Sequence, residues 1–493
     1  MRITTKMMTN NMMSNINKNK IRMSNLEQQY STQKKIQRPS EDPIIAVRAL
    51  KLRTNLSELE QYFDKNIPDA FSWMDVTESA LTTMNDLLRE MNTYCVQGST
   101  DTLTANNRSS IIQNLMQMKA QFYQEGNTNY AGRYVFTGYK TDTSLIFAED
   151  TSNLSYNITE ELSGLEIESS SKVTGSYTLE DADEPIDYFA DAPKLVDYHR
   201  LQLSYDQLDE GVLNLSYYET ADEDTPTDVL VEAKSLEDGD AYSPGADQAF
   251  YIAETGEIIL GENIYKNLRD ANKITVNYSK SNFKEGDLRP EHYFDCVRTD
   301  LETGKIVNFD RPDTKQEIQY EVNFNQKLTV NTEGLEAISH KIGRVIDEIL
   351  NSVNEVIETE GKIAEIERRL KSENLTDAEK EKYEKMLEQL DTELELKKEV
   401  MQESFEKGNL TSSKEQDRVN IALADLGSRY VRLQLTENRL SSQKVDFTEL
   451  MSNNEDVNLV DTVIAFGSAE VVYNASLNAA SRVVQNTLLD FLR

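Results

Sequence analysis

Two cysteines and three histidines in 493 residues leave little material for metal or nucleophilic chemistry. Cys95 and Cys296 can build neither a disulfide framework nor a four-thiolate zinc site. No apolar run approaches the roughly 20 residues that span a bilayer. The opening MRITTKMMTNNMMSNINKNK lacks the apolar core of a signal peptide. Also absent are a GxxxxGK[ST] loop, a GxGxxG after a strand, an HExxH pair and a nucleophile elbow. An enzyme is not expected, nor any cofactor or metal.

Basic charge is scarce too. Lys and Arg number 52 against 86 Asp and Glu, a net charge of −34. Such a chain does not grip nucleic acid through its phosphates, and anionic lipid repels it. The imbalance is local. Residues 1–60 hold eleven basic and five acidic groups, residues 411–493 eight and eleven, and residues 61–410 carry −37. Ends that pack against protein around a water-facing middle give this distribution. With 38% hydrophobic residues the chain can bury cores, and its length suggests two to four domains.

What is present is periodic. Met8, Met12, Ile16, Asn19, Met23, Leu26 and Tyr30 repeat at spacings of three and four, one face of a helix too sparsely apolar to stand alone. Arg38-Pro39-Ser40-Glu41-Asp42-Pro43 predicts a turn. A second stripe runs from Ile45 to Phe63, with Pro68 expected to kink or split the helix near Asn66-Ile67. It resumes from Ala70 to Met91 and ends at Gly98, and a further helix starts near Thr104 and stops before Gly126. From about residue 130 the period shortens. YVFTGYK, SLIFAED, LSYNIT, KVTGSYTL, KITVNYS and QEIQYEVNFNQKLTVNT read as strands, and 250–260 as a hairpin around Thr255-Gly256. The β-rich stretch is expected as one or two modules, divided near Glu219–Asp228.

Helical periods return with Ile338, Ile342, Val345, Ile349, Val353 and Val356. A charged pair of arms follows, with Thr376-Asp377-Ala378-Glu379 at capping-box spacing and a narrow seam of Tyr383, Leu387, Leu390 and Leu394. An antiparallel hairpin over 358–404 is expected; a single interrupted solvated helix is the alternative. Past Gly408 a heptad runs from Val419 to Met451, broken at Asn453–Asp456. The last stripe reaches almost to Arg493, unusual for a free end.

The reading is α+β: long terminal helices in a coiled-coil-like bundle, a β-rich middle and a charged helical hairpin. The expected divisions are 1–42, 43–139, 140–332, 333–452 and 453–493. Candidate interface residues are Met8, Met12, Ile16, Met23 and Leu26 on the first helix, and Leu459, Val463, Phe466, Leu477, Val484, Leu488 and Phe491 on the last. Weaker signals weigh less. His292 and Cys296, four apart, have no further Cys/His cluster beside them, so a loop or strand edge outweighs a metal pair. The N-terminal methionines fit a packing seam better than a soft-metal site. Carboxylate pairs abound only because acid abounds.

Specific residues at both ends point one way. They include Met1-Arg2-Ile3-Thr4, the segment Lys35–Pro43, Gln61-Tyr62 with Asn66-Ile67, Glu78 with Ala80-Leu81, and Asn127–Gly138 (NTNYAGRYVFTG). At the other end stand Ser476-Leu477-Asn478-Ala479-Ala480 and Leu488–Leu492. These resemble the flagellin family, and more closely its hook-associated branch. The family usually has Ser-Gly before a basic pair; here Ser31-Thr32-Gln33 precedes Lys34-Lys35. The charged hairpin matches no family element.

The resemblance implies an axial structural protein of the bacterial flagellum, exported unfolded without a cleaved leader and assembled outside the cell. It implies partners as well: further copies of itself in a ring or tube, the other hook–filament junction protein, flagellin, and an export chaperone on the C-terminal region. A junction between hook and filament is favoured. The filament subunit itself is the nearest alternative, and a coiled-coil surface adhesin or an enzyme set in the middle is more distant.

Overall fold

The structure, a computed structural model, describes residues 5–100, 104–175, 192–209, 211, 213–219, 225–236, 238–312, 314–371 and 376–489; at 5, 105, 106 and 483–489 the backbone alone is described. The helices are α1 (Thr5–Thr32), α2 (Pro43–Gln61), α3 (Ile67–Gly98), α4 (Ala105–Glu125), α5 (Glu262–Arg269), α6 (Gly334–Ala337), α7 (Lys341–Leu370), α8 (Asp377–Glu455) and α9 (Leu459–Leu489). The strands are β1 (Asn129–Tyr130), β2 (Arg133–Tyr134), β3 (Leu154–Leu162), β4 (Glu168–Thr174), β5 (Lys194–Gln202), β6 (Asn214–Tyr218), β7 (Thr227–Val229), β8 (Val231–Lys234), β9 (Ala249–Ile252), β10 (Glu257–Leu260), β11 (Lys273–Lys280), β12 (Asp295–Asp300), β13 (Ile306–Phe309), β14 (Gln319–Asn323) and β15 (Gln326–Thr329). The class is α+β, with long helices at both ends and several sheets between them.

The chain divides into two compact units. One holds residues 1–69, 320–328 and 431–493, the other residues 70–319 and 329–430.

In the first unit, α1 packs antiparallel on α9. Asp42 starts α2 as expected, accepting from the amides of Ile44 and Ile45 just before Pro43 at the first helical position. Ahead of Pro68 the chain does not simply kink. Tyr62–Asn66 forms one π-helical turn, which absorbs the missing proline N–H while the helix continues. Asn66 Nδ2 donates to the Glu321 carbonyl, tying that turn to the β14–β15 hairpin.

The second unit joins a helical bundle to a two-sheet body. One sheet has the order β4-β5-β10-β9-β8, the other β13-β12-β3-β11-β6-β7. Both draw strands from either side of Glu219–Asp228. β11 shows how the faces form: Ile274, Val276 and Tyr278 alternate inward and share one core with Tyr156, Ile158, Leu201, Leu215, Tyr251 and Ile258. The 250–260 hairpin forms as expected, closed at Gly256 with φ +62°. SLIFAED is not a strand, and of YVFTGYK only Tyr134 lies in one. Leu145, Ile146 and Phe147 are buried, but as a loop pinned by Asn127 Oδ1, which accepts from the Leu145 and Ile146 amides. Here burial drives the apolar run without a ladder.

In the bundle, the predicted stripe from Ile338 to Val356 is buried throughout, Ile338 just ahead of α7 and the rest on it. Gly408 serves close helix approach. α8 runs through that glycine unbroken, where a Cβ would lie 2.6 Å from Ile349 Cδ1 and 3.0 Å from Cys95 Sγ. At Gly98 a Cβ would meet the Phe405 ring. The charged hairpin forms from the end of α7 and the start of α8. Ile366, Met386 and Leu390 are its dry seam, with Ile363, Tyr383 and Leu387 against them. Thr359 Oγ1 accepts from Lys397 Nζ at 3.1 Å one layer below. The Thr376–Glu379 capping box is present, with both reciprocal bonds at 3.3 and 2.8 Å. The expected joint at Glu373-Asn374-Leu375 lies outside the described residues.

Candidate assembly surface

The terminal helix pair is built from small and polar seam residues as much as from large apolar ones. On α1, Ile16 is buried, and Met12, Asn19, Met23 and Leu26 are half-buried. On α9 the inward positions are Thr462, Phe466, Ala469, Tyr473, Ser476 and Ala480, alternating by four and three. Asn19 Nδ2 donates to Ser476 Oγ at 3.0 Å, and Ser476 in turn donates to the Val472 carbonyl.

A polar joint closes the base of the pair. α1 ends at Thr32, and Gln33 adopts φ +60°, the left-handed conformation that reverses a chain after a helix. Its carbonyl accepts from Val457 N at 3.0 Å, and Lys35 N donates to Glu455 O at 2.7 Å. Arg53 Nε donates to Glu455 Oε1 at 2.7 Å, and Lys34 pairs with both Glu455 and Asp456. Hydrogen bonding from Arg53 holds the Glu455 carboxyl below the usual range, while Lys34 lowers Asp456 and is itself raised by that partner.

The pair also leaves apolar side chains in water. Met7, Met8, Met13 and Ile21 on α1, and Val460, Val463, Ile464, Val471 and Val472 on α9, are all exposed. Of the candidate interface residues, Met12, Ile16, Met23, Leu26 and Phe466 lie within the α1–α9 seam. Met8, at the seam's end, is exposed, as are Leu459, Val463 and Leu477. Val484 and Leu488 lie on α9 with side chains outside the described residues, and Phe491 lies outside them altogether. The largest apolar side chains suggested one stripe on α9; the fold uses a neighbouring one. Thr462, Ala469 and Ser476 escaped notice because they are small or polar, although their spacing of seven was legible.

The weaker signals resolve into packing. His292 Nε2 lies 3.0 Å from the Ser144 carbonyl, and burial lowers the ring's pKa to about 4. Cys296 is buried opposite Phe309 in the β12–β13 pair, and Cys95 is buried beside Gly408. Among the described residues no group of three His, Cys, Asp or Glu side chains could hold a metal ion, and no helix is long and apolar enough to cross a membrane.

The N-terminal helix α1 thus takes the C-terminal helix α9 as its partner. Residues 3–141 match the bacterial flagellin N-terminal helical region. The chain is also similar to hook-associated proteins and to a flagellin. The chain is 31% identical over 147 residues to flagellar hook-associated protein 3 of Salmonella typhimurium, covering 29% of this chain and 45% of that one. Flagellin of Clostridium tyrobutyricum is 29% identical over 126 residues, covering 26% of this chain and 33% of that one. The chain thus spans less than half the length of these relatives. The solved flagellar junction protein of Legionella pneumophila aligns over 84% of this chain and all of its own, at 10% identity and a TM-score of 0.30, too low to define a shared fold.

Proposed function

We propose that this chain is a structural adaptor of the bacterial flagellum, joining hook to filament outside the cell, with no catalytic role. The observation that carries the reading is the α1–α9 pair. It is held by few apolar residues, registered by Asn19 and Ser476, and carries an unused apolar surface that a tubular homo-oligomer would cover. Met8, Leu459, Val463, Leu477, Val484, Leu488 and Phe491 are proposed to meet neighbouring copies. Met12, Ile16, Met23, Leu26 and Phe466 hold the pair that presents them. The other junction protein and flagellin are the proposed axial neighbours, and an export chaperone is proposed to cover the C-terminal helix before assembly. The charged hairpin is proposed to face outward.

Removal of residues 478–493 tests this reading. The truncated chain is expected to keep its β-rich body folded and to leave hooks without attached filaments. Normal filaments in the truncated strain would refute it. The similarity to a Clostridium flagellin supports a second reading, a filament subunit. That role requires the chain along the whole filament rather than at one end.

A further inference from the structure

Six of the fourteen methionines fall in the first 23 residues. The fold sorts the described methionines into distinct environments. Met74, Met84, Met91, Met386 and Met401 are sealed in cores at 0–1% exposure. Met12 and Met23 are half-buried against α9. Met7, Met8 and Met13 stand 52–55% exposed on α1. The partner helix differs in kind: α9 has no methionine, and its exposed apolar side chains are Val, Ile and Leu, which resist mild oxidants. Of the two helices only α1 carries methionine, and three of its five stand at solvent-facing positions; elsewhere Met116 on α4 is 44% exposed.

We propose that Met7, Met8 and Met13 form a reversible oxidation site controlling whether an unassembled chain can associate. A peroxide supplies the oxidant. One oxygen of its O–O bond is transferred to the methionine Sδ, which loses two electrons, and the other oxygen leaves as water. A reductase with two thiols reverses the step, forming a disulfide and releasing the sulfoxide oxygen as water. The thioether is apolar and flexible, suited to a packing surface; the sulfoxide is strongly polar. Burying it without a donor is costly, and the exposed Val460, Val463, Ile464, Val471 and Val472 of α9 offer none. Oxidised α1 therefore remains a helix in water but resists being covered by a neighbouring copy. Chains already assembled are protected because that surface is no longer open to solvent.

The inference rests on the assembly reading above. The alternative is that these methionines serve only as adaptable packing, in which case leucine would replace them and oxidation would have no selective effect.

The test uses the purified full-length chain treated with hydrogen peroxide, mapped by peptide mass spectrometry, with association followed by sedimentation. Met7, Met8 and Met13 are expected to oxidise well before Met74, Met84 or Met91. The concentration needed for association should rise at least about tenfold. Methionine sulfoxide reductases acting on both epimers should restore it. A Met7→Leu, Met8→Leu, Met13→Leu chain, conservative in volume, should associate normally before and after peroxide. Unchanged association with all three as sulfoxides, or equal sensitivity in the leucine variant, would overturn the inference. If the untreated chain never associates, the assembly reading fails instead. The modification then stands on the peptide map alone, and oxidation at the three sites no faster than at Met74 overturns it.

Discussion

Asn19 Nδ2 donates to Ser476 Oγ at 3.0 Å, joining residues 457 positions apart within one compact unit. A polar pair in a sparsely apolar seam contributes little net stability but penalises every other register, because a slip leaves both groups facing apolar neighbours. Asn19→Ala and Ser476→Ala should each cost about 0.5–1 kcal/mol, with a coupling of similar size in the double mutant. Thermal melting of α1–α9 helicity measures it. Additive single effects would show that the bond does not set the register.

Gln33 occupies a left-handed backbone position at the end of α1. Gln33→Gly should stabilise the helix end by up to about 1 kcal/mol, since glycine carries no Cβ penalty there. Slower proteolysis at residues 30–36 is the expected readout; faster cleavage would mean that the added flexibility outweighs the relief.

Two helical glycines should respond in opposite directions. Gly408→Ala places a methyl against Ile349 and Cys95, and its overpacking should exceed the gain in helix propensity, a net loss of about 1–2 kcal/mol. Gly427 has no neighbour within 4 Å, so Gly427→Ala should gain about 0.5–1 kcal/mol. Urea midpoints of the isolated chain decide both.

Acid should loosen the second unit through His340. Its ring sits among Tyr205, Tyr293 and Phe294 with Nε2 buried and unbonded, and burial, with Arg344 nearby, lowers its pKa to about 3. A histidine depressed in the folded state stabilises fully above its unfolded pKa near 6.5, and that contribution is lost as pH falls toward the folded value. Unfolding free energy should therefore drop by a few kcal/mol between pH 6.5 and 4. His340→Phe should flatten most of that slope. His292 adds a smaller share in the same direction. An unchanged slope in His340→Phe would assign the acid sensitivity elsewhere.

Much of this was legible in the sequence, and the exceptions share a cause. Long stripes such as Ile342–Val356 are buried as periodicity requires, and Asp42 and Thr376 cap where their spacing places them. Leu145–Phe147 misled because a three-residue apolar run has no period, so burial in a pinned loop looks like burial in a strand. The role of Gly408 was not legible, because it is set by Ile349 and Cys95, distant in sequence. On α9 the largest residues drew attention away from Thr462, Ala469 and Ser476, which let the two helices approach.

The charged hairpin can be cut cleanly only above its polar base. Arg108, almost fully buried, binds Glu360, and Thr359 meets Lys397. Replacing residues 362–392 by a short Gly-Ser bridge keeps both, together with the buried Glu393 carboxylate that pairs with Lys397, and should leave folding and assembly intact, because the two arms end side by side. Loss of filament attachment with normal export would make the hairpin an interface.

The location of the chain in intact flagella tests the adaptor role most directly. Gold-labelled antibody against the two-sheet body, viewed by electron microscopy, should mark one narrow ring between hook and filament. Label distributed along the filament would contradict the adaptor role and make the chain a filament subunit.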